Sequence, residues 1–110
     1  MIVLNVCEKY YTMLKDGRKT IELRLFDDKR KLIKVGDMIE FRCADDATDS
    51  FLAEVINLYR ADDFFSLSQK IACQQAGFDT NEEMTDVMKG FYSEAKQKQF
   101  GVLGIEVRRI

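Results

Sequence analysis

The chain opens on MIVLNV, residues 1–6, and closes on FGVLGIEVRRI, residues 100–110, two short apolar runs rich in β-branched side chains. Runs of this length and type read as buried strands. A strand at each end that cannot bury its apolar side chains alone has to join a shared sheet, so the first and last strands are expected to meet inside one sheet. The segments between them must let that sheet curve.

Residues 19–26, KTIELRLF, alternate Ile21, Leu23 and Leu25 with Thr20, Glu22 and Arg24. Period two predicts a half-buried strand. Before it, EKYYTMLKD (8–16) places Tyr11, Met13 and Leu14 near one helical face, with Lys15 in the last turn and Gly17 as the stop. The charged turn 27–31 leads to Gly36-Asp37, a tight-turn signal ahead of a strand over 38–42. ADDATDS (44–50) reads as a polar loop and 51–60 as another strand.

The period then changes. Apolar residues at 64, 65, 67, 71 and 72 predict a helix over 62–76, capped by Asp62 or Asp63 and ended by Gly77. A second helix is predicted over 81–98, with Thr80 or Asn81 as its cap and Gly90 as a candidate break. The stripes Met84, Met88, Phe91 and Phe64, Phe65, Leu67 are expected to face the core. Gly101 and Gly104 in the closing strand mark bulges or close backbone approach, as at the seam of a small barrel. The predicted architecture is α+β: a small β-barrel or strongly curved mixed sheet of five to six strands. A short helix follows the first strand and two helices precede the last, in one domain over residues 1–110.

Composition excludes several function classes. With 46% hydrophobic and 33% charged residues, the chain can build a core and is not expected to be disordered. It has no histidine, which removes imidazole as base, nucleophile or metal ligand. It has no proline either, so its turns fall to six glycines and to Asp, Asn and Ser. Cys7, Cys43 and Cys73 form no CxxC pair and are read as buried thiols in a reducing compartment. No metal or cofactor is expected. The N-terminus lacks a basic n-region and no apolar run approaches a membrane span, so a cytoplasmic protein without a membrane partner is expected.

The net charge of -2 conceals an uneven spread. Residues 15–34 hold eight basic side chains against four acidic ones, and residues 35–66 hold two against eight. A locally basic face of this kind can attract phosphates. Within it, Lys29, Arg30 and Lys31 are candidate phosphate contacts, opposed by Asp27 and Asp28.

The densest chemistry lies in Gly17-Arg18-Lys19-Thr20-Ile21-Glu22-Leu23-Arg24. Period two sets Glu22 and Arg24 side by side on one strand face. Lys19 joins them if regular strand geometry starts after it or a bulge intervenes. Two cations and a carboxylate brought together could hold a phosphate or a base edge, with Arg24 as the bidentate donor. A lysine pressed against apolar groups could also lose its proton and act as base or nucleophile, with Glu22 orienting it. The same residues would equally form an ion-pair ladder on an exposed strand. Tyr59 and Tyr92 are candidates to line a cleft and stack a base, and Tyr10 and Tyr11 lie close to the motif.

GRKTIELR fits G-x-K-x-x-E-x-R, a signature of the ASCH domain family in the PUA-like superfamily. IKVGDMIEF, EVINLYRADDFFSL and FYSEAKQKQFGVLGIEV resemble further segments of that family, in order and over nearly the whole chain. The resemblance implies a barrel-like fold with Lys19, Glu22 and Arg24 on the floor of a cleft. It also implies RNA or a nucleotide as ligand, with Arg18, Lys19, Glu22, Arg24 and Tyr59 as candidate contacts. A small branch of the family deacetylates N4-acetylcytidine, and other members are ribonucleases. On that alternative the chain is a small hydrolase of an amide or phosphodiester, with Lys19 and Glu22 catalytic. In the amidohydrolase branch the lysine works with a threonine three residues later and a glutamate on the following helix. Here Lys19 matches, Glu22 stands in the threonine position, and Gln74 or Gln75 stands where the glutamate would be.

Overall fold

A computed structural model describes residues 1–110. Five strands form one sheet: β1 (Ile2–Val6), β2 (Ile21–Leu25), β3 (Met38–Cys43), β4 (Asp46–Ala61) and β5 (Val102–Arg109). Their spatial order is β1-β3-β4-β5-β2, with β1 parallel to β3 and the other pairs antiparallel. The first and last strands do share one sheet, yet β3 and β4 lie between them. Four helices complete the chain: α1 (Glu8–Asp16), α2 (Phe64–Ser68), α3 (Asn81–Phe91) and α4 (Glu94–Phe100). Short 3-10 turns span Arg30–Leu32 and Cys73–Ala76.

The sheet is strongly curled. Its two edges, β1 and β2, would stand about 19 Å apart if four strand spacings of ~4.8 Å lay flat. Instead Arg24 of β2 reaches across the open side and donates from Nη2 to the Asn5 carbonyl of β1 at 2.7 Å. Part of the bend comes from a bulge at Ile56, where the β4–β5 register slips between Val55 and Asn57. Part comes from close approach at Gly104, where a Cβ would stand 3.3 Å from Ile21 Cγ2.

Two apolar clusters use the two faces of this half-barrel. Leu4, Ile39, Phe41, Val55 and Ile105 pack with Tyr11 and Leu14 of α1. On the other side Ile21, Leu23 and Leu25 pack with Phe64, Leu67, Met84 and Met88. Strand β2 is therefore enclosed on both faces, not half-buried. Its alternation misleads because the residue facing away from the aliphatic side is the enclosed Glu22.

The helical half departs from the period reading in three places. Residues 62–76 do not form one helix. Asp63 caps α2 by accepting from the Ser66 amide at 2.7 Å, but α2 stops at Ser68 and the chain turns again over Cys73–Ala76 before Gly77. Residues 81–98 split into α3 and α4, and the break falls at Tyr92-Ser93, not Gly90, because Ser93 caps a new helix through the Lys96 amide. Buried Gln97 fixes that junction: Oε1 accepts from the Phe64 amide at 3.0 Å and Nε2 donates to the Tyr92 carbonyl at 2.9 Å. Phe65 and Phe91 leave the core stripes and stand 60% and 56% exposed.

Two further expectations change. The polar stretch 46–50 is extended within β4, but the β3 register jumps from Arg42–Ser50 to Cys43–Asp46, so residues 47–49 bulge out between those pairs. Cys43 and Cys73 are buried, but Cys7 is exposed at the start of α1. No helix is long and apolar enough to cross a membrane.

Candidate functional site

The junction between α1 and β2 sets the site. After Gly17 ends α1, the Lys19 amide donates to the Met13 carbonyl at 3.0 Å, and the Thr20 amide donates to the Gln75 carbonyl at 2.8 Å. Regular strand geometry begins only at Ile21. Lys19 is thereby released from strand alternation and turns to the same side as Glu22, three residues on.

Lys19, Glu22 and Arg24 form a continuous buried chain of charge. Lys19 Nζ lies 3.4 Å from Glu22 Oε1 and donates to the Ala76 carbonyl at 2.7 Å. Glu22 Oε2 accepts from Arg24 Nε at 2.9 Å and lies 2.8 Å from Nη2, the nitrogen that also spans to Asn5. Lys19 is 3% exposed and Glu22 6%. The Tyr10 ring covers the ammonium at 5.4 Å from its centroid, a cation–π arrangement.

Gly77 makes room for this lysine. It takes φ +95 after the 3-10 turn, and a Cβ there would meet Met13 Cε at 3.3 Å and Lys19 Cδ at 3.4 Å. The turn it ends presents the Ala76 carbonyl to Nζ.

Burial and charge oppose each other along the chain. Burial pulls the Lys19 ammonium below its usual range, and the attraction of Glu22 only partly restores it. Burial alone would raise Glu22, but Lys19 and Arg24 outweigh it and hold the carboxyl below the usual range. Arg24 is pulled down by burial and raised further by Glu22 and Tyr92, so its charge is permanent. Taking such a group out of water costs several kcal/mol per ion, offset only where every partner is in place. A buried charged cluster beside a cavity is thus a functional-site signal before it is a stability device.

The cavity is present. About 130 Å³ opens between β1, α1, β2 and α3, with Lys19, Glu22 and Arg24 on its wall and the rings of Tyr10, Phe78, Phe91 and Tyr92 around it. Tyr10 packs 5.6 Å from Phe78 and edge-on to Phe91 at 6.4 Å. The volume far exceeds the ~10–15 Å³ that one water needs and falls short of the ~300 Å³ at which drug-sized pockets begin. One ring or small planar group fits that range.

Other sequence candidates lie elsewhere. Arg18 points to the surface and pairs with Asp16 at 2.9 Å. Tyr59 donates to Glu106 at 2.8 Å, away from the cavity wall. Tyr11 donates to Asp49 at 2.7 Å and belongs to the core. Gln74 and Gln75 expose their side chains, so the turn contributes only the Ala76 carbonyl to the lysine. Phe78, Phe91, Asn5 and Cys7 carry no motif, and their place on the wall follows from the fold alone.

The family model for the ASCH domain matches residues 4–110. No functionally curated protein matches the chain. Among solved structures, the chain is 31% identical to hypothetical protein PH0355, at a TM-score of 0.86 over 98% of this chain and 97% of that one. It is 29% identical to PF0455 from Pyrococcus furiosus, at 0.76 over 99% and 96%. It shares the fold of an ASCH protein from Zymomonas mobilis at 15% identity and a TM-score of 0.69, over 96% of this chain and 66% of that one. With the family model covering nearly every residue and the curled mixed sheet in common, the chain belongs to the ASCH domain family.

Proposed function

We propose that this ASCH domain captures a single nucleobase, carried by RNA or by a free nucleotide, in the cavity beside Lys19, Glu22 and Arg24. The observation that carries the reading is the meeting of a buried Lys–Glu–Arg chain with a ring-lined cavity of about 130 Å³. Rings supply stacking faces that any base accepts, while donors and an ionised carboxylate on one wall can read a base edge. The volume takes the base and leaves ribose and phosphate outside.

The test is calorimetric titration with each of the four ribonucleosides, comparing the wild type with Arg24→Ala and Tyr92→Ala. At least one nucleoside is expected to bind, and each variant to weaken it at least tenfold. Equal binding by all three proteins, or none by the wild type, overturns the reading.

A hydrolytic reading draws on one further observation, the lysine held by burial below its ordinary range. A neutral Lys19 amine would take a proton from water as the water oxygen adds to an amide carbon or phosphorus, and Arg24 would balance the developing anion. The proton then passes to the leaving group. Incubation with N4-acetylcytidine and with RNA is expected to show turnover that Lys19→Ala abolishes. Equal turnover in both proteins excludes Lys19 as the catalytic group.

A further inference from the structure

The two edges of the curled sheet are not equally protected. β2 is buried along nearly its whole length, whereas Val3 and Asn5 of β1 are exposed. Successive residues of a strand present their N–H and C=O groups to opposite sides. The Val6 carbonyl accepts from the Ala44 amide at 2.8 Å, just past the end of β3, so Ile2, Leu4 and Val6 face β3. Val3 and Asn5 face outward, in keeping with the bond from Arg24 to the Asn5 carbonyl. The Val3 N–H, the Val3 C=O and the Asn5 N–H therefore have no partner strand.

Natural sheets blunt an open edge with a charge, a proline or a bulge. Residues 2–6, IVLNV, carry no charge and no proline, and β1 pairs with β3 in unbroken register. Beside this edge a groove of about 650 Å³ runs along β1 and the Arg30–Leu32 turn. Ile2, Leu4, Ile33 and Met38 give it an aliphatic lining, and Leu32 stands 73% exposed within it. Arg24, Lys29 and Arg30 bring cations to its wall against Asp37 alone. Glu22 and Asp27, the ion-pair partners of Arg24 and Arg30, do not line it, and Lys29 has no ion pair.

We infer that the β1 edge is a docking site for an extended, acidic segment of a partner protein. The segment adds a sixth strand through Val3 and Asn5, lays alternate aliphatic side chains in the groove and directs a carboxylate to Lys29. Strand addition takes its affinity from main-chain bonds and its specificity from pockets for alternate side chains. The edge selects protein over nucleic acid: a phosphate can accept from the Val3 N–H but has no proton for the Val3 carbonyl, whereas one peptide residue meets both. Charge selects an acidic segment over a second copy of this chain, whose β1 is uncharged and whose own Lys29 and Arg30 would come to the same seam. The inference is independent of the base reading, because pairing at Val3 leaves the Arg24–Asn5 bond in place.

The experiment selects a random twelve-residue peptide library, displayed on phage, against the full chain, and labels the most enriched peptide with fluorescein. The recovered peptides are expected to share alternate aliphatic residues and at least one acid. Bound peptide should slow hydrogen exchange at the Val3 and Asn5 amides. Val3→Pro removes an outward N–H and no bond of the β1–β3 ladder, so it should melt like the wild type and weaken the peptide roughly tenfold or more. Lys29→Glu, at an exposed side chain, should weaken it about fivefold. Nucleoside binding should be the same in both variants as in the wild type. Peptides with no shared pattern, protection away from Val3 and Asn5, or unchanged peptide affinity in both variants overturns the inference. If Val3→Pro does not fold, amide protection and Lys29→Glu decide alone. A dimer in sedimentation that Val3→Pro dissociates assigns the edge to a second copy, and protection of the same amides by an eight-nucleotide RNA but by no peptide assigns it to nucleic acid; either result overturns the inference.

Discussion

Replacing Glu22 by glutamine tests the electrostatic reading of the site most directly. The substitution keeps shape and one hydrogen-bonding oxygen but removes the only carboxylate between Lys19 and Arg24. Breaking a buried pair by removing one partner costs about 3–5 kcal/mol, because the partner charge stays buried without compensation. Against the ~5–15 kcal/mol of an ordinary domain, that is a large share. With a urea m-value of about 1.5 kcal/mol/M, the midpoint should fall by roughly 2–3 M at pH 7.

The loss should also depend on pH, with a predictable sign. Lys19 is already held below its ordinary range in the native protein, and without Glu22 it falls further. Between that lowered value and the unfolded lysine value near ~10.4, the unfolded chain binds more protons, so stability rises with pH. The deficit of Glu22→Gln should therefore shrink from pH 7 to pH 10. At the acid end the reverse holds. The native Glu22 carboxyl is depressed, so its contribution is complete above the unfolded value near ~4.3 and fades as pH falls toward the native one. The variant should lack that acid limb. Urea titrations followed by circular dichroism at pH 4, 7 and 10 read all three regimes. A midpoint shift under about 0.5 M at pH 7, or a deficit that does not change with pH, would refute the account.

Other outcomes follow from the same structure. Gly77→Ala should cost about 1–2 kcal/mol for its left-handed backbone, and more if Met13 and Lys19 cannot yield; thermal melting measures it. A loss of base binding larger than the loss of stability would show that displacement of Lys19, not unfolding, is the cause. Ellman's reagent should titrate one thiol, Cys7, in the native protein and three in guanidinium; three fast native thiols would contradict the burial of Cys43 and Cys73.

How far the sequence reveals the molecule depends on which force sets each element. Strands β1, β2, β3 and β5 are legible because Ile21, Leu23 and Leu25, or Ile39 and Phe41, recur with the pleat. The cap at Asp63 and the stop at Gly77 are legible because they answer local backbone needs. What lies between them is not. Residues 69–72 carry apolar spacing that suits a helix, yet the chain leaves helical geometry to bring Gln75 and Ala76 against the α1–β2 junction. Asp46 to Ser50 look like a loop because polar residues disfavour strands; only Asp46 and Ser50 pair with β3, and Asp49 between them is held instead by Tyr11 and Lys15 of α1.

The site shows the same division. Lys19, Glu22 and Arg24 are readable as a group from spacing, but their burial is not, since charged residues in a period-two run ordinarily face water. Of the ring wall, Tyr92 and Tyr10 are readable as candidates for the cleft, but Phe78 and Phe91 are not, because the wall draws on separate stretches of the chain. Exposed Phe91 is the sharpest miss: its helical spacing with Met84 and Met88 matches a core stripe, and the end of α3 carries it out to the cavity mouth.

The position of β2 also fixes when the site can exist during biosynthesis. Residues 21–25 pair with nothing but residues 102–106. As the chain emerges from the ribosome, β1, β3 and β4 can assemble while the motif strand still has no neighbour to bond with. Contacts across so long a stretch of chain carry a large loop-closure cost and form slowly. Lys19, Glu22 and Arg24 are thus made early, and their strand gains its only sheet partner after residues 102–106 have been made.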